Sequence, residues 1–163
     1  MPAQMNIGVP FDFQPIQSHR FVAEFATELG IESWKVQEFT GPELKIGKKE
    51  INYMNGKTYV TGIGEWSEST IKFLNVIGPS TGNQLMEWVR LHHESITRRA
   101  GYAAGYQKDI ILKALDPTGI EVQKWTLTQA QIVSIKQDDF KMGSDDVNMF
   151  AVVVQPKDCI LNY

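Results

Sequence analysis

Cysteine is nearly absent: Cys159 is the single one in 163 residues. One thiol excludes an internal disulfide framework and a multi-cysteine zinc site. Histidine is scarce as well, with three residues, too few and badly placed for a serine-type triad. Long apolar runs are missing. The stretch ending Ala151-Val152-Val153-Val154 is only a few residues, against the roughly 20 needed for a membrane-crossing helix. An excess of positive charge is missing too. Lys and Arg total 16 against 19 Asp and Glu, a formal charge of -3, which is not the balance of a protein that grips nucleic-acid phosphates. The opening MPAQMNIGVPFDFQPIQ has no basic region followed by an apolar one, so no secretory leader is expected. The reading is of a protein that stays in a reducing cytoplasm or leaves it without a cleaved leader. What is present is ordinary: 42% hydrophobic and 21% charged residues suit one packed domain.

The first 18 residues, with prolines at 2, 10 and 15, read as an extended arm with Phe11 and Phe13 as docking residues. A β-domain is expected over residues 19–163. Phe21, Ala23 and Phe25 alternate as in a strand, and a second strand is expected from Trp34 to Phe39, closed by Thr40-Gly41-Pro42. Residues 41–64 hold five glycines (41, 47, 56, 62 and 64), and Asn55-Gly56 sits between strand-like pieces. This is a hairpin signal, so a long two-stranded excursion is expected there. Its local charge is positive: Lys45, Lys48, Lys49 and Lys57 against Glu43 and Glu50. Ser69–Val76 reads as a strand. Thr81 and Gln84 have capping-box spacing, and Leu85, Trp88, Val89, His92 and Ile96 share a helical face, so a helix ending near Ser95–Arg99 is expected. Strands follow at 110–115, 120–128, 132–136 and 147–154, punctuated by Asp116-Pro117-Thr118-Gly119 and Met142-Gly143-Ser144-Asp145. The expected class is mainly β, two packed antiparallel sheets with one helix and a protruding hairpin.

Chemistry-bearing patterns are weak. His92-His93 are neighbours, about 100° apart on a helix, which is poor for chelation. Gly62-Ile63-Gly64 lacks the third glycine and the following helix of a phosphate loop. Asp138-Asp139 and Asp145-Asp146 lie at turns without calcium-loop spacing and read as solvated. Cys159 has no neighbour that would lower its pKa. Arg98-Arg99 near Tyr102 and Tyr106 reads as an exposed helix end. No catalytic set, metal site or cofactor is expected, and the protein is read as not an enzyme.

The order of features resembles the tail tube proteins of contractile-tailed bacteriophages. The residues that carry the resemblance are His19–Phe25, Ile51-Asn52-Tyr53-Met54-Asn55-Gly56-Lys57, Trp66-Ser67 and Thr70–Leu74, then Met86-Glu87-Trp88-Val89, the 116–119 turn and Val147–Val154. It spans roughly residues 19–155. The resemblance implies six subunits in a ring and rings stacked into a hollow tube, with the long hairpin reaching the neighbouring ring. It implies a sheath outside, a tape-measure protein inside, baseplate tube proteins at one end, double-stranded DNA in transit without specific binding, and a place in the virion tail after assembly in the host cytoplasm. On this reading Lys45, Lys48, Lys49, Tyr53, Met54, Asn55 and Lys57 are inter-subunit contact candidates. Asp116, Glu121, Asp138, Asp139, Asp145 and Asp146 are candidates to line the bore. The rival readings are a tube or tube-initiator subunit of a related type VI or pyocin-like system, and a monomeric ligand-binding β-barrel.

Overall fold

A computed structural model describes residues 13–162. Phe11 and most of the expected arm lie outside the described residues, while Phe13 is exposed. The chain runs β1 (Phe21–Phe25), β2 (Val36–Phe39), β3 (Leu44–Tyr53), β4 (Gly56–Trp66), β5 (Ser69–Leu74), α1 (Thr81–Arg90), α2 (Ala103–Tyr106), β6 (Lys108–Leu115), β7 (Glu121–Gln137), β8 (Met149–Gln155) and β9 (Asp158–Asn162). All strand pairs are antiparallel. The mainly-β reading with one substantial helix holds.

The strand order is β1-β6-β7-β8-β5-β2, with β9 also on β7 and a separate β3-β4 ribbon. β7 explains how one path becomes two layers. Its first part pairs with β6 and β9, and its second part, Gln131–Gln137, pairs with β8. The change of partner falls next to Gln129, which takes a positive φ of 49°. Two strands were expected here, at 120–128 and 132–136. A single strand serves both sheets because the bend at Gln129 re-aims the backbone without ending it. β9 was not expected. It pairs with Lys124–Thr128 of β7 and carries Cys159 into the core.

The core lies between the layers. Alternation buries Phe150, Val152 and Val154 from β8, and Ile71 and Phe73 from β5; Ala23, Ile110 and Leu127 close it from the other layer. Phe25 and Phe73 meet with ring centroids 5.5 Å apart. Helix α1 sets Leu85 and Trp88 into this core, both fully buried, and the Trp88 indole donates to the Tyr106 carbonyl at 2.9 Å.

The helix departs from its expected bounds. It stops at Arg90, and Ile96 is exposed beyond it. The N-cap is Ser80, whose Oγ accepts from the Asn83 amide. The Thr81 hydroxyl is turned back to the end of β5 instead: it accepts from the Val76 amide at 3.2 Å and donates to Leu74 O at 2.8 Å. Gln84 is also occupied, accepting from Lys35 Nζ at 2.7 Å and donating to Gly30 O. These are tertiary ties that a local capping rule does not contain. The early stop comes from the return of Gly101 under the helix end: its amide donates to His92 O, and a Cβ there would lie 1.9 Å from Leu91 O. In the second expected strand, Ser33–Lys35 forms a 3-10 turn, and β2 starts at Val36.

Candidate assembly interface

Among the described residues the β3-β4 ribbon pairs with itself and with no other strand. Every residue of it is exposed except Trp66, which is half-buried at its root. Ten residues of β3 reach roughly 30 Å. The reversal is one residue earlier than Asn-Gly chemistry suggests. Tyr53 faces Gly56 across a Met54-Asn55 loop, and Met54 takes the positive φ, 50°. Lower down, Gly47 stands opposite Gly62-Ile63 in a bulge. A Cβ on Gly62 would lie 3.1 Å from both Gly47 C and Gly47 O, so the strands meet backbone to backbone there.

The register sorts the distal ribbon into two faces, because cross-strand partners share a side and neighbours along a strand do not. Lys48, Glu50, Asn52, Lys57, Tyr59 and Thr61 form one face. It is tied together by a Lys57–Glu50 ion pair of 2.8 Å and by Lys48 Nζ standing 5.0 Å from the Tyr59 ring centre. Lys49, Ile51, Tyr53, Thr58 and Val60 form the other. Its apolar members are open to water, Tyr53 at 75% exposure, and Met54 at the tip is 87% exposed. A lone two-stranded ribbon has no layer of its own to cover such a face and is marginal in water. Of the contact candidates, Lys49 and Tyr53 share the apolar face, Lys48 and Lys57 the charged one, and Met54 and Asn55 form the tip. Lys45 sits nearer the root, opposite Glu65. Ile51 and Val60 were missed as contact residues, although a two-residue loop at 54–55 would have set the register that exposes them together.

The six acidic candidates do not converge. Asp116 and Glu121 flank the β6-β7 turn, whereas Asp138, Asp139, Asp145 and Asp146 lie in the loop beyond the other end of β7. Glu121 is engaged: Lys113 bridges it at 2.6 Å and Glu24 at 2.9 Å. The hydrogen bond to Glu121 is the main reason that Lys113 holds its proton more firmly and that Glu121 is more acidic than usual. Asp116 closes its turn through Oδ1, which accepts from the Thr118 hydroxyl and from the amides of Thr118 and Ile120. The Thr118 hydroxyl contributes most to its lowered pKa. Gly119, at φ 88°, completes that turn.

The remaining chemistry-bearing residues stay apart. His92 is half-buried against Tyr106, with ring centroids 5.1 Å apart, and burial pushes its pKa down with a smaller push from His93. His93 is exposed. Burial raises the Cys159 thiol to about 11, which keeps it protonated. Among the described residues no group of three or more His, Cys, Asp or Glu could hold a metal. No helix among them is long and apolar enough to cross a membrane.

No protein-family model and no curated protein matches the sequence. Solved structures do match the fold. A chain of the sheath/tube terminator of an extracellular contractile injection system, PVC, is similar at TM-score 0.76 and 17% identity, over 93% of this chain and 99% of that one. A chain of the PVC sheath-tube complex is similar at TM-score 0.72 and 15% identity, over 91% of each. The SPP1 tail tube is similar at TM-score 0.53 and 13% identity, over 91% of this chain and 79% of that one. At these identities the likeness is one of fold. The fold is one shared with chains of a contractile injection system and of a tail tube, in line with the resemblance in the sequence.

Proposed function

We propose that this chain is a structural, non-catalytic subunit of a phage tail tube. Six copies close into a ring, and rings stack into a hollow conduit for double-stranded DNA. A contractile sheath surrounds it, a tape-measure protein occupies it before use, and baseplate tube proteins continue it at one end. The tube assembles in the host cytoplasm and works in the virion tail. The observation that supports this reading most is the ribbon. Ile51, Tyr53 and Val60 form an exposed apolar face on an element that the other described residues leave uncovered. A monomer would carry that face as an aggregation hazard, whereas a repeating assembly buries it. A ligand-binding barrel is disfavoured because the space between the sheets is filled by Phe73, Trp88, Ile110 and Leu127.

A second reading is favoured by the PVC neighbours: a tube or tube-end subunit of a contractile injection system outside the tailed phages. Both readings share the ring and the stack. Negative-stain electron microscopy of the purified protein tests them together. Rings or hollow tubes of uniform diameter are expected. Small particles that stay monomeric as the concentration rises would overturn both.

A further inference from the structure

The sheet that roots the ribbon has a second protruding feature at its far end. β5 and β8 run antiparallel, with Ser69 opposite Val154 at one end and Leu74 opposite Met149 at the other. The ribbon enters β5 at the Ser69 end, where Gln155 Nε2 donates to Trp66 O at 2.9 Å. The β7-β8 loop, residues 138–148, leaves from the Leu74 end, where the Asn75 amide donates to Asn148 O at 3.1 Å. Ribbon root and loop therefore mark opposite poles of one sheet.

The two poles are complementary in charge and alike in exposed apolar surface. The ribbon from 44 to 66 carries four lysines and two glutamates; the segment 136–148 carries four aspartates and two lysines. Asp138 is occupied at the base of the loop, accepting from the Met149 amide at 3.1 Å, and Asp146 accepts from the Ser144 hydroxyl. Asp139 and Asp145 are exposed. Beside them Phe140 and Val147 are 78% and 60% exposed, around an open depression of about 340 Å³.

The geometry points to the 138–148 loop as the seat for the ribbon of a second copy. On this view the lysines around Tyr53 and Met54 of one subunit meet Asp139 and Asp145 of the next, and Phe140 and Val147 cover apolar surface of the ribbon. Two different surfaces of identical subunits then join pole to pole, a heterologous contact that propagates into a filament instead of closing on itself. Opposite charges fix the register and exclude ribbon-to-ribbon and loop-to-loop pairing. The inference rests on the tube reading and adds the receiving site on the partner copy.

Two charge-reversed proteins test it. One carries Lys48→Glu and Lys49→Glu, the other Asp139→Lys and Asp145→Lys. Each alone opposes like charges at every junction, so its critical concentration for tube formation should rise on the order of tenfold or more. In an equimolar mixture, stacking the two proteins alternately restores opposite charges at every junction, so the mixture should assemble near the wild-type concentration. Disulfide trapping keeps the test independent of those variants. Wild-type protein with Met54→Cys and Phe140→Cys should give ladders of cross-linked copies under mild oxidation, because the native Cys159 is buried and protonated. A mixture as poor as its parts, with no ladder from the cysteine pair, overturns the loop as the seat while leaving the tube reading intact. Failure of the unmodified protein to form rings or tubes overturns the tube reading itself.

Discussion

Trp88 joins the helix to the sheets. It fills the core, and its indole satisfies the Tyr106 carbonyl in the next segment. Trp88→Ala should destabilise the subunit by about 3–5 kcal/mol, the range for emptying a buried aromatic site, read from urea unfolding of the unassembled protein. His92 makes stability depend on pH. Its Nδ1 is buried without a hydrogen-bond partner among the described residues, and burial lowers its folded pKa from 6.5, so the unfolded chain binds the proton more readily. The stability held by neutral His92 is complete above pH 6.5 and is lost as pH falls from there through the lowered folded value. Thermal unfolding between pH 7.5 and 5 should show a declining melting temperature, with a shallower decline in His92→Gln. Equal slopes would mean that another group carries the effect.

At the scale of elements, the ribbon should be separable from the domain. It shares no strand pairing with the main sheet. Deleting Lys48–Lys57 should leave cooperative unfolding of the domain in place and abolish tubes seen by electron microscopy. Loss of the folded domain would show that the ribbon belongs to the core. A gentler probe is Gly62→Val. The added Cβ has backbone of Gly47 3.1 Å away, and that backbone cannot yield as a flexible side chain would. The strands should splay at the bulge, assembly should weaken, and unfolding of the domain should shift by no more than about 0.5 kcal/mol. The contrast between assembly and stability is what marks an element built for a partner.

For the whole molecule, charge bears on what a tube could carry. In the proposed ring of six, subunits at -3 each would amount to -18. If the ribbon lysines meet Asp139 and Asp145 at junctions between copies, those charges offset one another there, and the remaining acids are left to dominate free surfaces. A wall of the same sign as DNA leaves the counterions with the DNA, so passage is not hindered by binding. Assembled tubes should show no measurable affinity for short duplex DNA at physiological salt in a binding titration. Tight binding that weakens steeply as salt is added would contradict the low-friction conduit. The six acids offered for the bore fall in two separate places, about Asp116 with Glu121 and in the 138–148 loop, and Glu121 is already neutralised by Lys113. A continuous acidic lining from all six is therefore not what a single subunit presents.

The sequence by itself determined the class and much of the layout. Period-2 alternation in 21–25, 69–74 and 149–154 marks strands with one buried face, and the glycines, the Asn55-Gly56 signal and the lysines of 41–64 mark the ribbon as an outlier to the core. These are local signals, and local geometry suffices to read them. The tertiary structure decided the rest. Ser80 caps the helix, while the Thr81 hydroxyl is engaged by Val76 and Leu74 and the Gln84 amide by Lys35 and Gly30. β7 continues through Gln129 because β6, β9 and β8 are there to pair with it on both sides of the bend. Ile51, Tyr53 and Val60 share a face only once the loop at Met54-Asn55 sets the register. In each case a residue had two acceptable local states, and a partner distant in sequence selected between them.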